Sequence, residues 1–222
     1  MICLDIWDLQ NSTATSSIKL NVVKIVKHPQ YKDLILKADI ALFKVQTIIF
    51  NDQKLSLLNN LEAKNEIKPI CLPDKFEDEQ SIDHLLGQDC IITGWGSTFF
   101  YLNRTLIGNQ TIQNLHILQK ATVTIWRQQF CAEAYKLDNT IYDTMICASG
   151  YEKDSCKGDS GGPLICPQMI LTSDKPKEEG EVRWILHGIV SWGKLCALPY
   201  YPGVYTRITK FVDWIHETIK QN

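Results

Sequence analysis

Gly158-Asp159-Ser160-Gly161-Gly162-Pro163-Leu164 is the stretch on which the reading of this chain turns. Glycines on both sides of Ser160 let the backbone come close to a substrate carbonyl. A hydroxyl beside a pair of backbone N–H donors is the core of acyl-transfer chemistry, because it joins a nucleophile to a hole for the oxyanion it creates. A turn serine among glycines is the plain alternative. The length of the run makes the chemical reading far more specific than a lone serine would.

The pattern Gly158-x-Ser160-x-Gly162 also fits the nucleophile elbow of an α/β-hydrolase, which needs a strand before the serine and a helix after it. Here Pro163-Leu164-Ile165-Cys166 follows, a strand-like run, and strands do not alternate with helices along the chain. That reading is set aside.

At 222 residues the chain can bury a real core, as one all-β domain or two small ones. Its 23 basic and 25 acidic residues nearly cancel, so neither nucleic acid nor a membrane surface is indicated as a partner. No apolar run approaches the roughly 18 residues of a membrane span. The opening Met1-Ile2-Cys3-Leu4-Asp5 lacks the basic and apolar regions of a signal peptide. The eight cysteines point the other way: none forms a Cys-x-x-Cys pair, and an even, scattered set suits disulfides in an oxidising compartment. Sequons at Asn11, Asn103 and Asn109 agree with an extracellular, secreted protein. A disulfide-type chain with no signal peptide implies that Met1 is not the natural start. No metal or cofactor is called for, and no acidic loop suggests calcium.

Ile18, Leu20 and Val22 alternate with polar residues and, with Ile25, predict one strand running to Val26. Asp39 to Val45 predicts a shorter strand after a tight turn. Pro69-Ile70-Cys71-Leu72-Pro73 is kept extended by its prolines, and the acidic run from Asp74 to Asp83 reads as a linker. Further strands are predicted around Cys90 to Thr93, Val123 to Ile125, Pro163 to Cys166, Val182 to Ser191 and Val204 to Thr206. Polar loops are predicted from about Ser97 to Asn114 and from Gln168 to Glu181. Helical spacing is clear only at the end, where Phe211, Trp214, Ile215 and Ile219 share a face. Short strands with one terminal helix argue for an all-β barrel architecture.

The segment around Ser160 closely resembles the active-serine segment of the trypsin-like, chymotrypsin-fold serine endopeptidases of peptidase family S1, and the resemblance covers most of the chain. It implies two six-stranded antiparallel β-barrels, the first incomplete here, and a C-terminal α-helix. Residues 1–75 would be the remnant of the first barrel and 76–88 the inter-barrel linker. Residues 89–206 would form the second barrel, with nucleophile and specificity pocket, and 207–222 the helix. Asp39, opening Asp39-Ile40-Ala41-Leu42, resembles the catalytic aspartate, which orients a histidine tautomer and stabilises the imidazolium. Gly158 and Ser160 would give the oxyanion-hole N–H groups. Asp154, six residues before Ser160, matches the acid that pairs with a substrate Lys or Arg at the pocket base. Gly193 and Gly203 match the pocket walls, and Ser191-Trp192-Gly193 the edge on which substrate adds as a β-strand. Leu195 departs from the family, which commonly has glycine there; a bulky residue at the pocket mouth is expected either to narrow entry or to change the local turn, which bears on subsite preference and not on the basic-residue class.

The same resemblance implies the pairs Cys90–Cys166, Cys131–Cys147 and Cys156–Cys196; eight cysteines alone allow about 105 pairings. Cys71 resembles the cysteine that ties the catalytic domain to an upstream segment, and Cys3 has no counterpart. Two parts of the family pattern are not found. The base histidine belongs to a Thr-Ala-Ala-His-Cys-like motif upstream of the aspartate, and none of His28, His84, His116, His187 and His216 stands in one. Nor is there an Ile-Val-Gly-Gly-like activation N-terminus to pair with Asp159, and a buried charge left unpaired costs roughly 3–5 kcal/mol. Missing opening strands would also leave the first barrel with unpaired edges.

The expectation is therefore a secreted endopeptidase that cleaves protein or peptide substrates after Lys or Arg through an acyl-enzyme on Ser160. As given, the chain would be inactive alone for want of its base. The alternative is a pseudoprotease that binds a partner without cleaving it. Retention of Ser160, Asp39 and Asp154 together favours the first.

Overall fold

The computed structural model describes residues 2–4, 6–10, 18–46, 69–74, 82–97, 101–102, 105–106, 116–170 and 181–222. The sequons at Asn11, Asn103 and Asn109 lie outside these residues, as do 75–81 of the acidic linker. In chain order the strands and helices are β1 (Ile2–Leu4), β2 (Ile18–Leu20), β3 (Val22–Lys27), β4 (Ala41–Val45), β5 (Asp89–Gly94), β6 (Tyr101–Leu102), β7 (Thr105–Leu106), β8 (Gln119–Ile125), α1 (Gln128–Tyr135), β9 (Met145–Ser149), β10 (Pro163–Ile170), β11 (Glu181–Trp192), β12 (Gly203–Arg207) and α2 (Val212–Gln221).

Six strands, in the order β10-β11-β12-β9-β8-β5, close into a barrel, and β5 meets β10 through Leu164↔Ile92 and Ile165↔Ile91. Alternation explains the filling. Cys90 and Ile92 of β5 and Val123 and Ile125 of β8 point inward, and with Ile146, Leu164, Cys166 and Tyr205 they form one buried cluster. The described part of the first barrel is less complete: β1 pairs with β2 and β3 with β4, each as a two-stranded sheet. The exposed face of β3–β4 is apolar, with Val23, Ile25 and Phe43 each more than half exposed.

One predicted strand divides, and two elements appear where no signal was read. The predicted strand from Ile18 to Val26 is two strands, because β2 and β3 take different partners and the Asn21 carbonyl between them accepts from Gln46 N at 2.7 Å. β9 lacks the alternation that marks a half-buried strand. Ile146 and Ala148 fill the barrel while Met145 and Cys147 pack outside it with Tyr135, so both faces are covered and the pattern is a continuous apolar run. α1 buries only Cys131 and Tyr135, four residues apart, too weak a helical period to see.

At the C-terminus a 3-10 turn, Ile208–Phe211, precedes α2, so the regular helix starts later than 207. Ile208, Phe211, Val212 and Ile215 pack on Ala38 and Ile40 from the first half of the chain. Each such side chain stabilises by about 1.5–3 kcal/mol when fully buried. Asp213 in the first turn and Lys220 in the last favour the helix dipole. The side chains of Lys24 and Lys44 both reach Asn222. His28 lies edge-on to Phe211 at 5.0 Å and to Trp214 at 4.8 Å, and its Nδ1 accepts from Gln30 N at 3.2 Å. Burial lowers its pKa. His28→Ala is expected to destabilise the chain by about 1–2 kcal/mol through these two ring contacts, measured as a shift in the urea midpoint. An unchanged midpoint would show that the first half and α2 are not joined there.

Among the described residues no helix is long and apolar enough to cross a membrane.

Candidate active site

Ser160 sits on a turn clipped to β11. Gly161 N donates to Val190 O and Val190 N to Gly162 O, both at 2.9 Å, while Gly162 N closes back on Asp159 O at 2.8 Å. This leaves the serine exposed at the barrel's rim. Gly158 has φ +103°, and a Cβ there would stand 2.9 Å from Gly96 Cα, so both backbone freedom and space require glycine. Among the described residues, no acceptor takes the backbone N–H of Gly158 or of Ser160. Two free donors thus flank the hydroxyl.

Asp39 stands two residues before β4, after Ala38 at φ +54°. Its carboxylate is fixed from the closed barrel: Ser191 Oγ donates to Oδ2 at 2.7 Å, and Thr206 Oγ1 donates to its backbone carbonyl at 2.7 Å. Asp39, Ser191 and Ser160 line one cavity of about 390 Å³, whose other walls include Lys27, Tyr31 and Phe43. No histidine lines it. His28 packs on α2, while His187 is buried in β11 with its ring 6.3 Å from that of His84. His116 and His216 are exposed.

Beside Ser160 a second cavity, of about 200 Å³, is lined by Ser155, Ser191, Trp192, Gly193, Leu195 and Gly203 among others. Asp154 stands behind its wall and faces a third cavity of about 160 Å³. The wall is thin there, since a Cβ on Gly203 would fall 2.5 Å from Asp154 Oδ1. Asp154 accepts from Ser155 N at 2.8 Å and Ala197 N at 3.0 Å. Burial nevertheless dominates and pushes its pKa up to about 6, against those two bonds and with a small push from Asp159. Cys156–Cys196 ties this segment to the rim loop.

Asp159 lines the third cavity with Asp154. Its Oδ1 accepts from Gly96 N at 2.8 Å and its Oδ2 from Cys156 N at 2.9 Å. A Cβ on Gly96 would meet both oxygens at 2.5 Å, so the carboxylate fits only against glycine. It makes no ion pair among the described residues. Gly96 went unnoticed in the sequence, although Gly94-Trp95-Gly96 after a strand is a visible signal. Tyr135 and Tyr205 were missed too, being buried aromatics without a motif. The Tyr135 hydroxyl donates to Pro202 O at 2.7 Å, and its ring lies edge-on to Trp192 at 4.8 Å.

At the rim, Lys194 bonds both oxygens of Asp138, at 2.8 and 2.9 Å, and lies 4.5 Å from the centre of the Tyr201 ring. Leu195 lines the second cavity, is 54% exposed and has φ +60°, a left-handed conformation that costs a non-glycine residue about 1–2 kcal/mol.

The structure forms three disulfides, Cys90–Cys166, Cys131–Cys147 and Cys156–Cys196. Cys71 is exposed and unbridged.

A family model described as Trypsin matches residues 5–215. Trypsin II-P29 of Gallus gallus is 36% identical over 197 residues, which is 88% of this chain and 61% of that protein. Serine protease 1 of Rattus norvegicus is 35% identical over 205 residues, 91% of this chain and 65% of that protein. Kallikrein-11 of Homo sapiens is 43% identical over 139 residues, 61% of this chain and 40% of that protein. The chain therefore spans less than two thirds of the length of these curated relatives. With a closed six-stranded barrel, a second, incompletely closed sheet region and a C-terminal helix, the chain belongs to the trypsin family of serine proteases.

Proposed function

We propose that these residues form most of the catalytic domain of a secreted endopeptidase that cleaves after Lys or Arg. The acyl-enzyme forms on Ser160, the N–H groups of Gly158 and Ser160 hold the oxyanion, and Asp39 orients the base. The base histidine, and the amine that pairs with Asp159, come from residues outside these 222. The observation that carries the reading is a single cavity lined both by the nucleophile and by the Asp39–Ser191 pair. Ser191, Trp192 and Gly193 receive the substrate backbone, and its basic side chain enters beside Gly203. The missing Cβ of Gly203 leaves Asp154 within reach of that cation. The exposed thiol of Cys71 supports a link to an upstream segment. The disulfides fit an oxidising compartment, where the three sequons would carry glycans.

A second reading, a pseudoprotease, is favoured by the same cavity, because no histidine lines it. The two separate on expression of the chain with and without the residues encoded before Met1, the longer form being activated by limited proteolysis. Peptide p-nitroanilides ending in Arg, Lys or Phe are the substrates. We expect the longer form to hydrolyse the Arg and Lys substrates, to lose this with Ser160→Ala, and the 222-residue chain to show no turnover. Preference for Phe would overturn the specificity. An upstream sequence without an Ala-His-Cys segment would establish the pseudoprotease. Turnover by the 222-residue chain that Ser160→Ala abolishes would place the base within it.

A further inference from the structure

We propose that Lys24 and Lys44, gathered at the end of α2, form a binding site for the sulfate esters of a polysaccharide. The site lies on the first half of the chain and does not rest on the reading of Ser160. Residues 18–46 hold six lysines against two aspartates, a net charge of +4, while the whole chain carries −2. Charge is therefore segregated, and the near-neutral total conceals a basic segment.

Register makes that segment specific. Between β3 and β4, Lys24 stands opposite Lys44, with Ile25 opposite Phe43 and Val26 opposite Leu42. Like charges directly across two strands repel, so the lysine pair works against the sheet unless something compensates. Alternation puts both lysines on the side of Leu42, which packs against the cluster that includes Val212 and Ile215 of α2. Both exposed side chains end on one residue: Lys24 Nζ donates to Oδ1 of Asn222, and Lys44 Nζ to its main-chain oxygen. Asn222 is itself fixed, because its Nδ2 donates to Thr218 O at 2.9 Å. Among the described residues, neither lysine is paired with an aspartate or glutamate.

Two ammonium groups are thus held around one small polar group that cannot offset their charge. Each ammonium has three N–H donors, and Asn222 takes one from each lysine, which leaves the others for a ligand. A sulfate ester brings a full negative charge and several acceptor oxygens to share between the pair. A carboxylate has two oxygens and satisfies fewer of the donors. The last carbonyls of α2 oppose an anion, and Lys220 in the last turn offsets them. Because Asn222 already holds both lysine side chains, less of their freedom is lost on binding. The three disulfides fit an oxidising compartment, which favours a sulfated sugar over a nucleic acid.

The test uses the 222-residue chain with a heparin-derived hexasaccharide as probe, and titration calorimetry at low and at physiological salt. We expect saturable binding that Lys24→Gln with Lys44→Gln weakens at least about tenfold, with a shallower dependence on salt. Lys24→Arg with Lys44→Arg should keep the binding, since charge and donors remain. So should Lys120→Gln with Lys136→Gln, which removes two charges from elsewhere on the surface. The urea midpoint separates loss of binding from loss of fold: it should hold or rise in the Gln pair as the cross-strand repulsion goes. Inorganic sulfate should raise the Tm of the wild type more than that of the Gln pair. Equal binding by wild type and Gln pair overturns the site. An equal loss in the Lys120 and Lys136 variant also overturns it, because the attraction would then be general. Hyaluronan, which carries carboxylates and no sulfate, should compete poorly, and competition equal to the probe's would overturn the sulfate assignment. Tighter binding of single-stranded DNA of the same charge would overturn the sugar in favour of a nucleic acid.

Discussion

Asp154→Asn is expected to stabilise the chain at pH 7.5 and, on the specificity proposed above, to remove its affinity for basic side chains. Burial raises the Asp154 pKa to about 6, above its value of 3.8 in the unfolded chain. The folded state therefore holds this proton more tightly, and charging the group costs the fold about 3 kcal/mol above pH 6. That cost disappears as the pH falls towards 4. Asparagine carries no charge, but its carboxamide oxygen can serve only one of the two N–H donors, Ser155 and Ala197, and an orphaned donor costs about 1–3 kcal/mol. The net gain is about 1 kcal/mol, a rise of roughly 2–4 °C in Tm for a domain of this size. Recognition moves the other way: without the carboxylate, the active form should bind benzamidine and cleave Arg substrates about 10²–10³-fold less well, the equivalent of roughly 3–4 kcal/mol.

His187 sharpens the test. Its pKa is lowered to about 4, first by burial and then by His84 and Arg207. A buried neutral histidine contributes stability that is full above pH 6.5 and lost as the pH falls through 4, again about 3 kcal/mol. In the wild type the Asp154 and His187 effects oppose each other between pH 6 and 4, so these two groups leave the urea midpoint nearly level. In Asp154→Asn only the histidine term remains, and the midpoint should fall steeply over that interval. A variant as level as the wild type would show that Asp154 is not buried as described.

The largest loss of stability is expected from Cys90→Ala with Cys166→Ala. This bridge spans 76 residues and joins β5 to β10, where the barrel closes. Closing a loop of that length in the unfolded chain is worth about 4 kcal/mol. Both cysteines are fully buried, so the double variant also loses packing. We expect Tm to fall by more than about 8 °C. Removal of Cys131–Cys147, which spans 16 residues, should cost nearer 3 kcal/mol. A loss below 1 kcal/mol for the longer bridge would mean that the barrel closes without it.

The serine turn was legible because its chemistry is local: Gly158, Asp159 and Ser160 need particular backbone freedoms within one short run. Asp39 was legible only beside the other motifs, since its partners Ser191 and Thr206 are more than 150 residues away. The barrel strands with one wet face could be read from alternation. β9 could not, because two cores cover its two faces. α1 is joined to β9 by Cys131–Cys147 and does not rely on an amphipathic stripe, so its period is faint. The contact of Asp154 with Gly203 joins residues 49 apart, so it was legible only through the resemblance, which matched Asp154 by its spacing from Ser160 and Gly203 as a pocket wall.

The hold on Asp39 has a wider consequence. The aspartate belongs to the first half of the chain, yet both described bonds to it, from Ser191 and Thr206, come from strands of the closed barrel. The two halves are thus coupled through the carboxylate proposed to orient the base. Separation of β3–β4 from the barrel would disarm the acid before any strand unfolds, so the alignment of Asp39 reports whether the molecule is assembled.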